Sequence, residues 1–393
     1  MQGHWGAALM PEKRYLVTPG PTPVPPEVLA ATAQPMIHHR GPDFRRALAR
    51  VIERLKLVFR TENEMLTFTS AGTGVMESAV QNLCSPGDRV LVVSHGYFGE
   101  RFAAMASAYG CDVAHLRYSW GESPSADEVG ERLDEMGGAK AVFLTHSDTS
   151  TGVVSDLRAI AERLDGTDAI IVVDAISSLA AVPVETDAWG LDVVITSSHK
   201  ALMCPPGLAS ASVSERAFAA SRAATSPRYY FDWERTRASQ EKGENPFSPA
   251  ISLFLGLDVA LGMILGEGLE AAYERHVRLG RACRAGVKAM GLELFSPDED
   301  RAAVVTAIRM PPEIDGQAIV LSMRERSGVT IIGGQGEVRG KIVRIGHIGY
   351  VDVFDVTTAL AALEVAMAEA GADIERAVAV TAALEAFAEP VTV

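Results

Sequence analysis

Cysteine is scarce: Cys84, Cys111, Cys204 and Cys283 are the only four in 393 residues, widely spaced and without a CxxC pair. That spacing offers neither a disulfide framework nor a cysteine-rich zinc site, and free thiols are expected. Histidine supplies no substitute, because His38 and His39 are adjacent and no carboxylate stands at ligand spacing beside them. No metal site is expected. A basic face is also missing: 36 Lys and Arg stand against 50 Asp and Glu, a formal charge of −14, with no dense basic cluster to meet a phosphate backbone. Nucleic acid is therefore not an expected partner. No uninterrupted apolar run reaches the ~18 residues of a membrane span. The start, MQGHWGAALMPEKRY, lacks a basic segment followed by an apolar core. These absences predict a cytoplasmic protein, without a membrane partner, that works on small molecules.

What is present is a globular composition in which short β-branched runs alternate with amphipathic stretches. RVLVVS (89–94), DVAHL (112–116), AVFLTH (141–146), AIIVVDA (169–175) and LDVVITSS (191–198) read as parallel strands, and ERFAAMASAYG and DLRAIAERLDG between them read as helices closing at glycine. Such alternation predicts an α/β sheet covered on both faces, with ligands at the carboxyl ends of its strands. From about Leu253 a long helical tract leads out of this unit. Strand-like AAVVTAIRM, GVTIIGG and KIVRIGHIG then mix with helical GQAIVLSMRERSG and VTTALAALEVAMAEAG, the pattern of a smaller α+β unit. The expected organisation is an arm over residues 1–20, a large domain over 21–265 and a small domain over 266–393. Proline-rich TPGPTPVPPE (18–27) cannot be a helix interior and is expected to run extended over the surface or a neighbouring subunit.

Three stretches at strand ends could carry chemistry. In SAGTGVMES (70–78) glycines precede a helix whose free N–H groups and dipole attract a phosphate, although such a loop can equally just turn. It lacks the P-loop lysine and the full GxGxxG, so neither a nucleoside triphosphate nor a dinucleotide site is indicated. In IIVVDAISS (170–178) Asp174 ends an apolar strand, where a carboxylate is costly to bury unless paired. It could be a salt-bridge or capping residue, or the partner of a protonated ring nitrogen. In TSSHKALMCPPG (196–207) Lys200 follows the buried strand LDVVI and precedes a proline-fixed turn. Lysine is the residue type for Schiff-base chemistry, its amine becoming nucleophilic once burial or a neighbouring charge lowers its pKa. THSDTSTGV (145–153) adds a strand end with clustered hydroxyls, and GYFGERF (96–102) an aromatic pair on which a ring could stack.

With TPGP (18–21), HHR (38–40) and GGQGEVRGKIVRIGHIG (333–349), these motifs resemble, in order and over nearly the whole chain, the class V aminotransferases. These are fold-type-I pyridoxal phosphate enzymes, and the likeness is to their alanine/serine–glyoxylate (serine–pyruvate) branch. The resemblance implies an α/β fold with a mostly parallel sheet between helices, a smaller C-terminal α+β domain, and a homodimer with shared active sites. It implies that Lys200 forms the internal aldimine with pyridoxal 5'-phosphate, that Asp174 meets the pyridine nitrogen and that Phe98 stacks on the ring. Ala71, Gly72 and Thr73 would hold the phosphate, with His199 beside it and Thr149 near the ring hydroxyl. Gly20 and Arg344 would contact the substrate. Arg344 suits this role on physical grounds as well, since a carboxylate calls for a planar, permanently charged donor pair. ENPFSPAIS (244–252) takes the place of the segment with which a neighbouring chain completes the phosphate cup, with Asn245 and Ser248 as candidates.

The expected activity is ping-pong transfer of an amino group from serine or alanine to glyoxylate or pyruvate. His199 departs from the glutamine usual in this branch and resembles the cysteine desulfurases, which makes a pyridoxal phosphate lyase or desulfurase one alternative. Such an enzyme needs a cysteine on a loop of the C-terminal part, whereas the last here is Cys283, in helical LGRACRAG. A relative acting on free pyridoxamine is another alternative, and a non-catalytic module with the same fold a third.

Overall fold

The computed structural model describes residues 13–391, so residues 1–12 of the expected arm lie outside the described residues. Seven strands form the main sheet: β1 (Glu64–Thr69), β2 (Arg89–Ser94), β3 (Asp112–Arg117), β4 (Ala141–Thr145), β5 (Ile170–Asp174), β6 (Val193–Ser197) and β7 (Leu208–Val213). Their order is β1-β7-β6-β5-β4-β2-β3, and β7 alone runs antiparallel to its neighbours. The five expected strands are β2 to β6.

Parity explains why these segments form a central sheet. Leu91, Val93, Val142, Leu144, Ile171 and Val173 pack into one hydrophobic cluster, while the alternate residues Val90, Val92, Phe143, Ile170 and Val172 pack into another. Both faces are thus buried, as parallel sheets require, and each fully buried Val, Ile or Leu side chain contributes about 1.5–3 kcal/mol. Helix α1 (Gly72–Leu83) follows β1 and α2 (Tyr97–Ala108) follows β2. Register pairs Thr145 with Asp174 and Asp174 with Ile195, so the carboxyl ends of β4, β5 and β6 lie side by side.

The tract after Leu253 is two helices, α3 (Ile251–Glu267) and α4 (Leu269–Ala289), bent by 86° at Gly268, whose left-handed φ of +91° ends the first. Among the described residues no single helix is long and apolar enough to cross a membrane. Beyond α4, strands β8 (Val305–Arg309), β9 (Ile332–Gly333) and β10 (Ile342–Gly346) form an antiparallel sheet in the order β8-β10-β9. Its own cluster includes Leu279, Ile308, Val343, Ile345 and Leu360.

The proline-rich segment differs from expectation. Tyr15–Leu16 pairs with Val329–Thr330, and Val17, Thr18 and Thr22 are buried while Gly20, Pro23 and Val24 are half-buried and Pro21 is exposed, so the chain runs extended but partly sunk below the surface before Pro26 opens a helix. A segment short of backbone donors can run there because its carbonyls find partners: Lys200 donates to Pro19 O at 2.6 Å.

Candidate active site

Lys200 lies three residues beyond β6 and Asp174 is the last residue of β5, so strand adjacency brings them to one place. Both are buried, with Lys200 8% exposed. Burial pushes the Lys200 ammonium down to about 8, opposed by Asp174 and reinforced by Arg344. Burial pushes the Asp174 carboxyl up to about 7, opposed by the Ile176 N–H, which donates to Oδ1 at 2.9 Å, and by Lys200. The Asp174 carboxylate accepts no other hydrogen bond among the described residues. A buried carboxylate with capacity to spare, beside an amine poised near neutrality, is a site for a cation and a carbonyl. Gly20 closes this place from the other side: a Cβ there would lie 2.5 Å from Lys200 Cε and Nζ, at a φ of +142° that other residues rarely adopt.

Ala71 caps α1 in extended conformation, Gly72 is its first residue and Thr73 follows. The first turn has no side-chain cap and no acidic residue; Gly74 N–H donates to Ala71 O at 3.0 Å, and the Gly72 and Thr73 N–H groups stay available to an anion. This helix start faces the same site, because a Cβ on Gly72 would approach Ile176 Cδ1 to 2.7 Å and Ser197 Cβ to 3.3 Å. Phe98, half-buried, stands in the first turn of α2, its N–H donating to Asp148 Oδ2 at 2.9 Å. His199 bonds Ser197 Oγ through Nδ1 at 2.9 Å, and burial, with Lys200 adding to it, pushes it down to about 4. It is neutral at physiological pH.

Arg344 sits on β10, the central strand of the small sheet, and is 1% exposed. Nε and Nη2 donate to Gly333 O at 3.1 and 2.6 Å, and Nη1 to Thr149 O at 2.5 Å. Those three bonds leave two of the five guanidinium donors, the number a bidentate carboxylate takes. Among the described residues no carboxylate lies within 4.0 Å of it to form an ion pair. Burial pushes it down only to about 10, so the charge persists. Thr149 therefore anchors Arg344 through its carbonyl.

Asn245 and Ser248 stand apart from this cluster, in a cleft with Thr67, Phe68, Thr69 and Tyr230. Asn245 Oδ1 is buried without a partner among the described residues, Ser248 is exposed, and Ala250 N–H ties the segment to Thr69 Oγ1 at 2.9 Å, two residues before Ala71. His38 and His39 lie near the surface ahead of helix Pro42–Phe59 with ring centroids 4.8 Å apart. Cys204 is buried, its thiol 3.7 Å from Leu253 O, as packing requires.

Two residues at the site carried no role in the sequence reading. Asp148 is fully buried and accepts from Phe98 N–H, Ser150 N–H and Ser150 Oγ at 2.9, 3.0 and 2.6 Å. Its signal was a carboxylate three positions past the end of a buried strand, the kind of placement that singled out Asp174. Arg101 stands three residues after Phe98 on α2, one helical turn on and hence on the same face.

The family model described as aminotransferase class-V matches residues 14–352. Among curated proteins the chain is 41% identical to the soluble hydrogenase small subunit of a Synechococcus species, over 92% of this chain and 95% of that one. It is 36% identical to the L-aspartate–glyoxylate aminotransferase of Paracoccus denitrificans, over 96% and 97%, and 34% identical to the serine–glyoxylate aminotransferase of Methylorubrum extorquens, over 96% of both. Among solved structures, the ureidoglycine–glyoxylate aminotransferase of Bacillus subtilis superposes with a TM-score of 0.90 at 30% identity, covering 97% of this chain and all of that one.

Proposed function

We propose that this chain, which belongs to the class-V aminotransferase family, transfers an amino group from a small amino acid to glyoxylate with pyridoxal 5'-phosphate as cofactor. The enzyme is an aminotransferase of fold type I, and that family is pyridoxal phosphate-dependent. The observation that carries the assignment is the convergence of a buried amine, an under-bonded carboxylate and a buried arginine with two spare donors.

The residues fit the cofactor. The uncapped start of α1 at Ala71, Gly72 and Thr73 offers N–H groups for its phosphate, Phe98 a ring to stack on, Asp174 an acceptor for its ring nitrogen and Lys200 an amine for its carbonyl. When bound, pyridoxal phosphate supplies a carbonyl that takes up amines and a ring that delocalises the charge left at the donor's α-carbon. Arg344 binds the substrate carboxylate and so fixes which α-carbon bond stands in reach of Lys200. Lys200, neutral for part of the time near pH 8, would take the α-proton as a base and give it back as an acid to the carbon on the far side of the substrate nitrogen. Asp174 would hold a proton at the ring nitrogen, a positive charge that would draw its own carboxyl back towards ionisation. Gly20 leaves the space that the moving lysine occupies.

Glyoxylate as acceptor is supported by the names of the glyoxylate aminotransferases similar to this chain, and serine as donor by one of them; alanine and pyruvate are the further candidates of the same size class. The hydrogenase name belongs to that relative, whereas the groups converging at this site, one lysine, one aspartate and one arginine, serve amine and carbonyl chemistry. We read the protein as a cytoplasmic homodimer in which Asn245, whose buried Oδ1 lacks a partner among the described residues, and Ser248 complete the neighbouring cup. The test adds single amino acids, without any keto acid, to the purified pyridoxal phosphate-loaded protein. The visible band of the lysine-held cofactor should bleach with serine or alanine, and glyoxylate should restore it. A band that no amino acid bleaches overturns the aminotransferase assignment.

A further inference from the structure

We propose that Arg101 is a phosphate-binding residue of the cofactor site, supplying the permanent positive charge of its anion cup. The proposal rests on the cofactor reading above. Three contacts place the guanidinium among the cup residues: Nη1 donates to Thr73 Oγ1 at 2.8 Å, and the group lies 4.8 Å from the centroid of the Phe98 ring and 5.4 Å from that of Tyr97. Thr73 is the second residue of α1, so Arg101 is bonded to the helix start that offers N–H groups to an anion.

Charge accounting singles out this residue. A phosphate monoester carries close to two negative charges at neutral pH, and a helix N-terminus supplies only about half a positive one. His199 beside the cup is neutral, being pushed down to about 4, and Lys200 is committed to the carbonyl end. Arg344 is held on β10 by Gly333 and Thr149. Among the described residues Arg101 forms no ion pair with a carboxylate, so its charge is free for an anion. One of its five donors goes to Thr73 and the rest can form the bidentate fork that guanidinium makes with phosphate. Its stacking on Phe98 links the phosphate end of the site to the ring platform.

The experiment measures uptake of pyridoxal phosphate and of pyridoxal, which lacks the phosphate, by cofactor-free wild type, Arg101→Gln and Arg101→Lys, using fluorescence quenching. Arg101→Gln should weaken pyridoxal phosphate binding at least tenfold while changing pyridoxal binding less than about twofold. Arg101→Lys, which keeps the charge, should recover most of the loss. Circular dichroism confirms that each variant is folded, and the lysine variant carries the test should the glutamine variant fail to fold. Equal weakening of both ligands would assign Arg101 to packing against Phe98 and overturn the proposal. So would unchanged pyridoxal phosphate binding combined with a raised KM for aspartate but not for serine, which would make Arg101 a receptor for a distal carboxylate. Wild type that takes up no pyridoxal phosphate would instead overturn the cofactor reading, and the Arg101 assignment with it.

Discussion

Replacing Arg344 with glutamine tests the site where its geometry is most specific. The guanidinium is buried, anchored by three carbonyl bonds and left with two donors on the face where a substrate carboxylate would bind. Hydrogen bonds to a charged group in such a place are worth about 1.5–3 kcal/mol each, and truncating one partner of a buried charge pair costs about 2–5 kcal/mol. Glutamine keeps one amide donor group, so a loss of about 3–4 kcal/mol is expected, which is roughly 10²- to 10³-fold in kcat/KM. The variant also strands Gly333 O or Thr149 O, at about 1–3 kcal/mol for each carbonyl left bare, so its melting temperature falls and the assay must run well below it. The discriminating measurement is the first half-reaction in single turnover with serine and with ethanolamine, which is serine without its carboxylate. Arg344→Gln should slow serine by the stated factor and leave ethanolamine nearly unchanged. Equal slowing of both amines would show that Arg344 only holds the two sheets together, and the carboxylate assignment would fall.

Lys200→Ala should abolish turnover, since both the amine that holds the cofactor and the group that moves the α-proton are lost; substantial residual activity in a clean preparation sinks the assignment. Initial-rate plots at several fixed glyoxylate concentrations should be parallel, as for a ping-pong mechanism, and intersecting lines would refute transfer through a shared amine carrier. The rate at which cofactor-free protein takes up pyridoxal phosphate should rise with pH with a midpoint near about 8, because only the neutral Lys200 amine attacks; a midpoint near that of free lysine would contradict its burial. Asp174→Asn should slow the first half-reaction about 10²- to 10³-fold, and it carries an opposite signature in the cofactor-free protein. The native carboxyl is pushed up to about 7 from 3.8, so the folded state binds more protons than the unfolded one between those values. Its contribution to stability therefore falls as pH rises through that window, by an upper bound of about 4 kcal/mol. The asparagine variant should lose this slope in a melting series from pH 4 to 7, and retention of the slope would place its origin elsewhere.

Period and position made the large sheet legible: apolar runs of five or six residues broken by glycine-closed helices can bury both faces only as a parallel sheet, and the chemistry then falls at the strand ends. Asp174 and Lys200 could be found because each is a charged residue directly beyond such a run. Arg344 could be located but not weighed, because its isolation from carboxylates among the described residues depends on which carbonyls fold over it, Gly333 from the neighbouring strand and Thr149 from a distant part of the chain. The proline-rich segment misled for a related reason: lack of backbone donors marks it as neither helix nor central strand, yet says nothing of what its carbonyls accept, and here Pro19 accepts from Lys200. Asp148 and Arg101 were hidden in motifs whose other residues seemed sufficient. Both act through contacts of long sequence separation, Asp148 on the start of α2 and Arg101 on the start of α1, and both meet at Phe98, Asp148 at its backbone N–H and Arg101 at its ring. That convergence gives α2 a role beyond covering the sheet. Its first turn is fixed by a buried carboxylate and its next turn carries the cation, so one helix sets the spacing between the stacking ring and the phosphate charge.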